Sequence, residues 1–206
     1  MITDSRSPIR VGLIGAGIQA SRSPHLHENE ARAAGLDLSY QLIDLAQINL
    51  SSAALPELLA QVQAQGYAGV NITHPCKQAV MPLLDEMSEE AAAIGAVNTV
   101  TFISNQRIEY NTDCWGFSES FKRGLPEVPL DRVVLLGAGG AGSAVAHATL
   151  KLGVKHLAIY DEDHARSASL AARLGKQFNP QRTEAVPNLG AAMLDTQGLI
   201  HATPVG

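Results

Sequence analysis

Several things are scarce in this 206-residue chain, and each scarcity excludes something. Its two cysteines, Cys76 and Cys114, cannot build a disulfide framework or a four-ligand metal site. A reducing, cytoplasmic setting is therefore expected. Charged residues are only 17% of the chain while 46% of residues are hydrophobic, a balance that excludes intrinsic disorder. Fifteen Lys and Arg against 20 Asp and Glu leave a net charge of −5 with no basic block or stripe, so nucleic acid is not an expected partner. No apolar run approaches the roughly 18 residues of a membrane helix, so no membrane partner is expected. Met1 to Arg10 lacks the apolar segment of a signal peptide. The length allows one large domain or two small ones.

What is present is a repeated alternation of short apolar runs and longer amphipathic ones, the signature of βαβ units and an α/β fold. Strands are expected at Arg10–Ile14, Leu38–Asp44, Gly69–Ile72, Ala96–Ile103, Arg107–Asn111, Arg132–Leu136, His156–Tyr160 and Gly198–Ala202. Helices are expected from Ser23 to Gly35, then over Leu55–Gln65, Lys77–Leu84, Ser88–Ile94, Trp115–Gly124, Gly140–Leu152 and Asp163–Leu174, with a turn near Leu189–Leu194. Ser23 looks like a helix cap, followed by Pro24 at the first helical position. Ser104-Asn105 looks like the turn of a hairpin. Pro126 and Pro129 punctuate the middle, so a seam is expected within 112–131. The expected domains are 1–113 and 114–206.

Two segments look like phosphate-cradling glycine loops, Gly15-Ala16-Gly17 and Gly137-Ala138-Gly139-Gly140-Ala141-Gly142. Such a loop needs glycines so that the backbone can approach a pyrophosphate, and a helix directly after it whose N–H groups and dipole meet the charge. The second has both: Val133–Leu136 feeds into it and a small-residue helix leaves it. The next strand ends at Asp161, 22 residues beyond Gly139, where an acid can accept ribose hydroxyls. The first is followed by polar Ser21-Arg22-Ser23 and reads better as a tight turn. Asp161-Glu162-Asp163 repels a 2′-phosphate, so NAD is favoured over NADP, with Arg166 as the counter-indication.

The first half also carries a polar set at strand ends: Ser21, Ser23, Asn71, Thr73, Lys77, Asn98, Asn111 and Asp113. Lys77 stands out because a cation at a helix start opposes the dipole. That placement would draw its amine toward a usable general base, while a carboxylate such as Asp113 would oppose the shift and hold the ammonium.

Taken in order, Ser21-Arg22-Ser23-Pro24, Asn71-Ile72-Thr73-His74-Pro75-Cys76-Lys77, Gly95-Ala96-Val97-Asn98-Thr99, Asn111-Thr112-Asp113 and Gly137-Ala138-Gly139-Gly140-Ala141 resemble the shikimate dehydrogenase family, from about residue 9 to 206. The wording of Asn71–Asp85 and of Asp161 is most similar to the NAD-using quinate/shikimate dehydrogenase branch. The resemblance implies an N-terminal α/β substrate domain followed by a Rossmann-type NAD domain. It implies that Ser21 and Ser23 bind the carboxylate of a small hydroxy-carboxylic acid, and that Asn71, Thr73, Asn98 and Asp113 hold ring hydroxyls. Lys77 would be the catalytic base, with Asp113 its partner. Gly137, Ala138, Gly139, Gly140, Ala141, Asp161, Arg166 and Thr203 would contact the cofactor.

The implied activity is hydride transfer between NAD and a ring hydroxyl of shikimate or quinate. The alternatives are an NADP-dependent shikimate or aminoshikimate dehydrogenase, and a quinate- or shikimate-binding module without turnover. Three departures stand out. Ser23 replaces the threonine usual in quinate-preferring relatives. His201-Ala202-Thr203-Pro204 replaces Asn-Ala-Thr-Pro. Family members also run well beyond residue 206, so the NAD domain is expected to lack its C-terminal part, including a tyrosine, a glutamine and a returning helix; a homodimer could compensate. No metal is expected. His25 and His27 stand two apart and share no helix face, and Cys76 and Cys114 lack a histidine partner for nucleophilic work. His74 reads equally as pocket lining or loop structure, and Trp115 as core.

Overall fold

The computed structural model describes residues 7–203. They form two compact units: the first runs to Ser88 and resumes from Val97 to Tyr110, and the second takes Glu89–Ala96 and the chain from Asn111 onward.

The first unit contains β1 (Ile9–Gly15), α1 (Ser23–Ala33), β2 (Leu38–Asp44), α2 (Leu55–Ala64), β3 (Tyr67–Ile72), the single-turn α3 (Cys76–Ala79), β4 (Thr99–Ile103) and β5 (Gln106–Tyr110). Its sheet has the order β2-β1-β3-β4-β5. β1 runs parallel to both neighbours, while β4 is antiparallel to β3 and β5. The parallel part follows from the long helical crossovers, and the β4–β5 pairing from a two-residue hairpin. Ser104 and Asn105 both have positive φ, 51° and 67°, as a turn matched to strand twist requires. α2 buries Leu55, Leu58, Leu59 and Val62 at helical spacing and keeps Glu57 outside.

The second unit contains α4 (Glu89–Ile94), α5 (Thr112–Gly124), β6 (Arg132–Leu136), α6 (Gly140–Lys151), β7 (His156–Tyr160), α7 (His164–Gln177), β8 (Thr183–Ala185), α8 (Leu189–Ala192) and β9 (Gly198–His201). Its sheet is wholly parallel, in the order β8-β7-β6-β9. Strands covered on both faces carry continuous apolar runs. Leu135, Leu157 and Ile159 are buried against Leu150, Leu170 and Leu174, while Val134 and Ala158 meet Val186 and Ala192. Ala144 and Ala148 on α6 pack with Ile94, Ala96 and Cys114. This apolar contact explains why α4 belongs with the second unit.

A half-buried guanidinium completes that attachment. Arg173 on α7 donates to the carbonyls of Ala93 and Ile94, the latter at 2.6 Å, and to Ser143 Oγ at 3.1 Å. The last carbonyls of a helix have no partner within it, and the planar fork of arginine suits two of them at once.

Four local expectations need correction. Ser23 is not the cap of α1; Arg22 occupies that place without a side-chain cap. The two hydroxyls are paired instead, Ser21 Oγ to Ser23 Oγ at 3.1 Å. The helix expected over Lys77–Leu84 breaks into α3 and a 3-10 turn at Met81–Leu83. Pro82 lacks an N–H and obstructs the preceding turn. A one-turn helix carries little of the dipole invoked for Lys77. α5 begins at Thr112, three residues before Trp115, because Asn111 Oδ1 accepts from the Asp113 and Cys114 amides. Trp115 is 68% exposed, so it is not core.

Among the described residues no helix is long and apolar enough to cross a membrane. None of their His, Cys, Asp or Glu side chains form a group of three or more that could hold a metal ion.

Replacing Arg173 by methionine removes the Arg173 donors, leaving the Ala93 carbonyl only Gln177 Nε2, at 2.8 Å, and lowers unfolding stability by about 3 kcal/mol. Arg173→Lys recovers less than half, because an ammonium cannot fork. Urea unfolding monitored by circular dichroism measures both, and wild-type midpoints for the pair would refute the assignment.

Candidate active site

Each unit contains a strand, glycine turn, helix and strand in succession, with an aspartate ending the second strand in the first unit and directly following it in the second. In the first unit Asp44 is buried. Its Oδ1 accepts from the amides of Gly17 at 2.8 Å and Ala46 at 3.1 Å, and its Oδ2 from Ile18 N and Gln19 Nε2, both at 3.0 Å. The Gln19 side chain, chiefly, and these backbone donors hold the Asp44 carboxyl below its usual range, against the opposing effect of burial. The amides a nucleotide phosphate would need are thus already used. A Cβ at Gly15 would run into the Thr73 methyl, and Ala16 N donates to His74 O at 2.9 Å. This loop is a structural turn that holds the Thr73–Pro75 segment ahead of Lys77.

The loop of the second unit is arranged differently. Asp161 Oδ2 accepts from Ala138 N at 2.7 Å and its Oδ1 from Asp163 N at 2.9 Å. Three of its four glycines do separate work. Gly137 has φ +98°, and a Cβ there would lie 2.8 Å from Ala202 O. A Cβ at Gly142 would run into the Gly137 carbonyl oxygen. Around Gly139 a Cβ would meet nothing within 4 Å, and Gly139 takes the cap position of α6 with no side-chain cap. Open backbone at an uncapped helix start suits a phosphate, so the loop fits a dinucleotide, with Gly139, Gly140 and Ala141 as the residues that would meet its pyrophosphate. Asp163 caps α7 through Ala165 N at 3.1 Å and pairs with Arg166 at 3.4 Å. Thr203 Oγ1 lies 3.0 Å from His201 Nε2.

Within the first unit, several of the expected substrate ligands form connected pairs. Ser23 N donates to Ser21 Oγ at 3.2 Å, beside the hydroxyl pair. Asn71 Nδ2 donates to Thr99 Oγ1 at 2.9 Å, and Thr99 Oγ1 in turn to Asn98 Oδ1 at 3.1 Å. Asn98 is 8% exposed, with its amide on Tyr110 O and its carbonyl accepting from Ile72 N. Thr73 is half-buried, bonded through N to Ile14 O and through its carbonyl to Cys76 N. Lys77 is half-buried on α3, and its carbonyl accepts from Val97 N at 2.9 Å, next to Asn98. Burial pushes the adjacent Cys76 thiol up to about 11, which keeps it inert.

In the second unit Asp113 lies in the first turn of α5. Asn111, a member of the expected polar set, is consumed structurally: its Nδ2 donates to Ala96 O at 2.7 Å and its Oδ1 caps α5. His25 pairs with Asn29, and His27 stacks on Tyr40 with ring centroids 4.9 Å apart. Sequence reasoning missed Tyr40, whose hydroxyl donates to Asn71 Oδ1 at 2.8 Å. Its only signal is a polar-tipped aromatic at a buried strand position.

The glycine division predicts contrasting variants. Gly142→Ala destabilises the second unit by several kcal/mol, whereas Gly139→Ala folds with a near-wild-type thermal midpoint and loses at least about tenfold in dinucleotide affinity by calorimetry. Equal effects of the two would refute it. For Asp44, the folded carboxyl titrates below the unfolded value of about 3.9. Its contribution is complete above that value and is lost as pH falls through the folded one. Asp44→Asn is therefore less stable at neutral pH, with a shallower acid limb in thermal unfolding between pH 7 and 2. Parallel limbs for variant and wild type would contradict the brace.

A family model described as the shikimate dehydrogenase substrate binding domain matches residues 13–100. Shikimate dehydrogenase (NADP(+)) of Streptomyces avermitilis is 47% identical over 198 residues, which are 95% of this chain and 68% of that protein. Quinate/shikimate dehydrogenase (NAD(+)) of Corynebacterium efficiens is 41% identical over 201 residues, 96% and 71% of the two chains. Among solved structures, quinate dehydrogenase from Corynebacterium glutamicum in complex with NAD superposes with a TM-score of 0.85 at 39% identity, covering 97% of this chain and 72% of that one. On these matches, which span both units, the chain belongs to the shikimate dehydrogenase family.

Proposed function

We propose that this chain is an oxidoreductase that transfers hydride between NAD and a ring hydroxyl of shikimate or quinate. The first unit supplies the substrate ligands and Lys77, and the second holds the cofactor. What carries the reading is that one chain has two chemically distinct sites: a linked set of hydroxyl and amide groups near the lysine-bearing turn, and a glycine loop open at Gly139.

In the oxidative direction Lys77 Nζ, as the free amine, takes the proton of the ring hydroxyl while the hydrogen on the same carbon leaves as hydride and the C=O bond forms. NAD, when bound, accepts that hydride. The Ser21 and Ser23 hydroxyls donate to the substrate carboxylate, and Asn71, Thr73 and Asn98 hold ring hydroxyls. Asp113 serves as the acidic partner of the resulting Lys77 ammonium. Gly139, Gly140 and Ala141 would meet the pyrophosphate of the dinucleotide, with Gly137 and Ala138 shaping the loop and Thr203 as a further contact.

Support for NAD over NADP comes from charge. Asp161, Glu162 and Asp163 stand in a row after β7, and the Arg166 guanidinium is engaged by Asp163. A 2′-phosphate would meet net repulsion there. Relatives carry both cofactor names, so the preference for NAD rests on this charge argument.

NADH formation with shikimate and with quinate tests the proposal. Wild type turns over at least one of them and prefers NAD+ to NADP+, and Lys77→Ala loses about a thousandfold in kcat. Undiminished turnover by the variant would overturn the mechanism. A preference for NADP+ would overturn the charge argument. Binding of either acid by calorimetry without turnover would mark the chain as a binding module instead.

A further inference from the structure

Two of the expected substrate ligands of the first unit, Asn71 and Asn98, are joined through Thr99, the last residue of its motif, and Asn71 is braced by Tyr40, which none of the motifs contains. We propose that Tyr40 is a positioning residue, whose hydroxyl fixes the Asn71 side-chain amide in the one orientation that presents an N–H to a substrate hydroxyl oxygen. The inference rests on the reading of Asn71 as a substrate ligand and adds what orients it.

The hydrogen bonds run in one direction. Tyr40 Oη donates to Asn71 Oδ1 at 2.8 Å. Asn71 Nδ2 donates one of its two hydrogens to Thr99 Oγ1 at 2.9 Å, and Thr99 Oγ1 donates onward to Asn98 Oδ1 at 3.1 Å. A primary amide offers one acceptor and two donors. The acceptor is taken by Tyr40 and one donor by Thr99, so the arrangement offers the remaining N–H to an incoming oxygen. Turned over, the amide would face Tyr40 with its NH2 and lose the bond from the tyrosine O–H. The Ser21 and Ser23 hydroxyls form a separate pair, Ser21 Oγ donating to Ser23 Oγ at 3.1 Å.

Tyr40 is itself held from several sides. It is 6% exposed, its ring stacks on His27, and its amide donates to Glu28 Oε1 at 3.0 Å. β2 lies at the edge of the sheet, where a strand amide needs a partner from outside the ladder. Burial pushes the Tyr40 hydroxyl up to about 12, with the Ser23 contact opposing, so the group remains a donor throughout the working pH range.

The test compares steady-state kinetics of Tyr40→Phe, Asn71→Ala and the double variant. Tyr40→Phe keeps the ring and its stack on His27 while removing only the donor. The expected result is a rise in KM for the hydroxy acid of about tenfold with kcat within twofold, and no further rise when the change is made in Asn71→Ala. A merely structural role would instead lower the thermal midpoint and add to the Asn71→Ala effect. That additive outcome would overturn the proposal, as would an unchanged KM in Tyr40→Phe when Asn71→Ala raises it. An unchanged KM in Asn71→Ala would refute the underlying site reading instead. Thr99→Val, which removes the other anchor of the amide at constant shape, carries the same test should Tyr40→Phe fold poorly.

Discussion

The structure depends on one repeated interaction: an aspartate at the end of a parallel strand accepting backbone N–H groups from the glycine turn after the neighbouring strand. A sharp turn between strand and helix leaves amide donors that no regular structure satisfies, and an unmet buried donor is costly. Asp44 and Asp161 meet this need in the two units. What differs is how many donors each takes. Asp44 consumes the amides of Gly17, Ile18 and Ala46, and the turn packs under Thr73 and His74. Asp161 takes the Ala138 amide and that of its own neighbour Asp163, and the loop stays open at Gly139. One supersecondary unit therefore does two jobs, anchoring the lysine-bearing segment in one unit and offering a phosphate cradle in the other.

The same economy governs the polar groups of the first unit. Buried amides and hydroxyls are tolerable only when bonded, and the directions of those bonds decide what remains for a ligand. Ser21 and Ser23 bond to each other, while Asn71 and Asn98 are joined through Thr99, with Tyr40 holding the Asn71 amide. Such bonding orients recognition groups before any ligand arrives, so that binding does not have to order them.

Much of this was legible in the residues, for identifiable reasons. Leu38–Asp44, Arg132–Leu136 and His156–Tyr160 form strands at those bounds because apolar runs end at loops with strong turn residues. The choice between the two glycine loops was also legible, since polar Ser21-Arg22-Ser23 follows the first and small helical residues the second. β8 escaped because Thr183-Glu184-Ala185 has no apolar run; it is a strand by virtue of pairing with β7, and the preceding Arg182 donates to the Leu150 and Val154 carbonyls. Asn111 was misread because an asparagine before a helix suits a cap as well as a ligand. Tyr40 and Arg173 escaped for a shared reason. Each acts through partners 30 to 80 residues away, and no local pattern encodes such a contact.

The division of labour between the two glycine turns is the centre of this account, and amide hydrogen exchange with and without NAD+ tests it most directly. The account predicts slowed exchange over Gly139 to Ser143 on adding NAD+, with Gly15 to Gln19 unchanged. Protection of Gly15 to Gln19, or none at Gly139 to Ser143 under saturating NAD+, would contradict it.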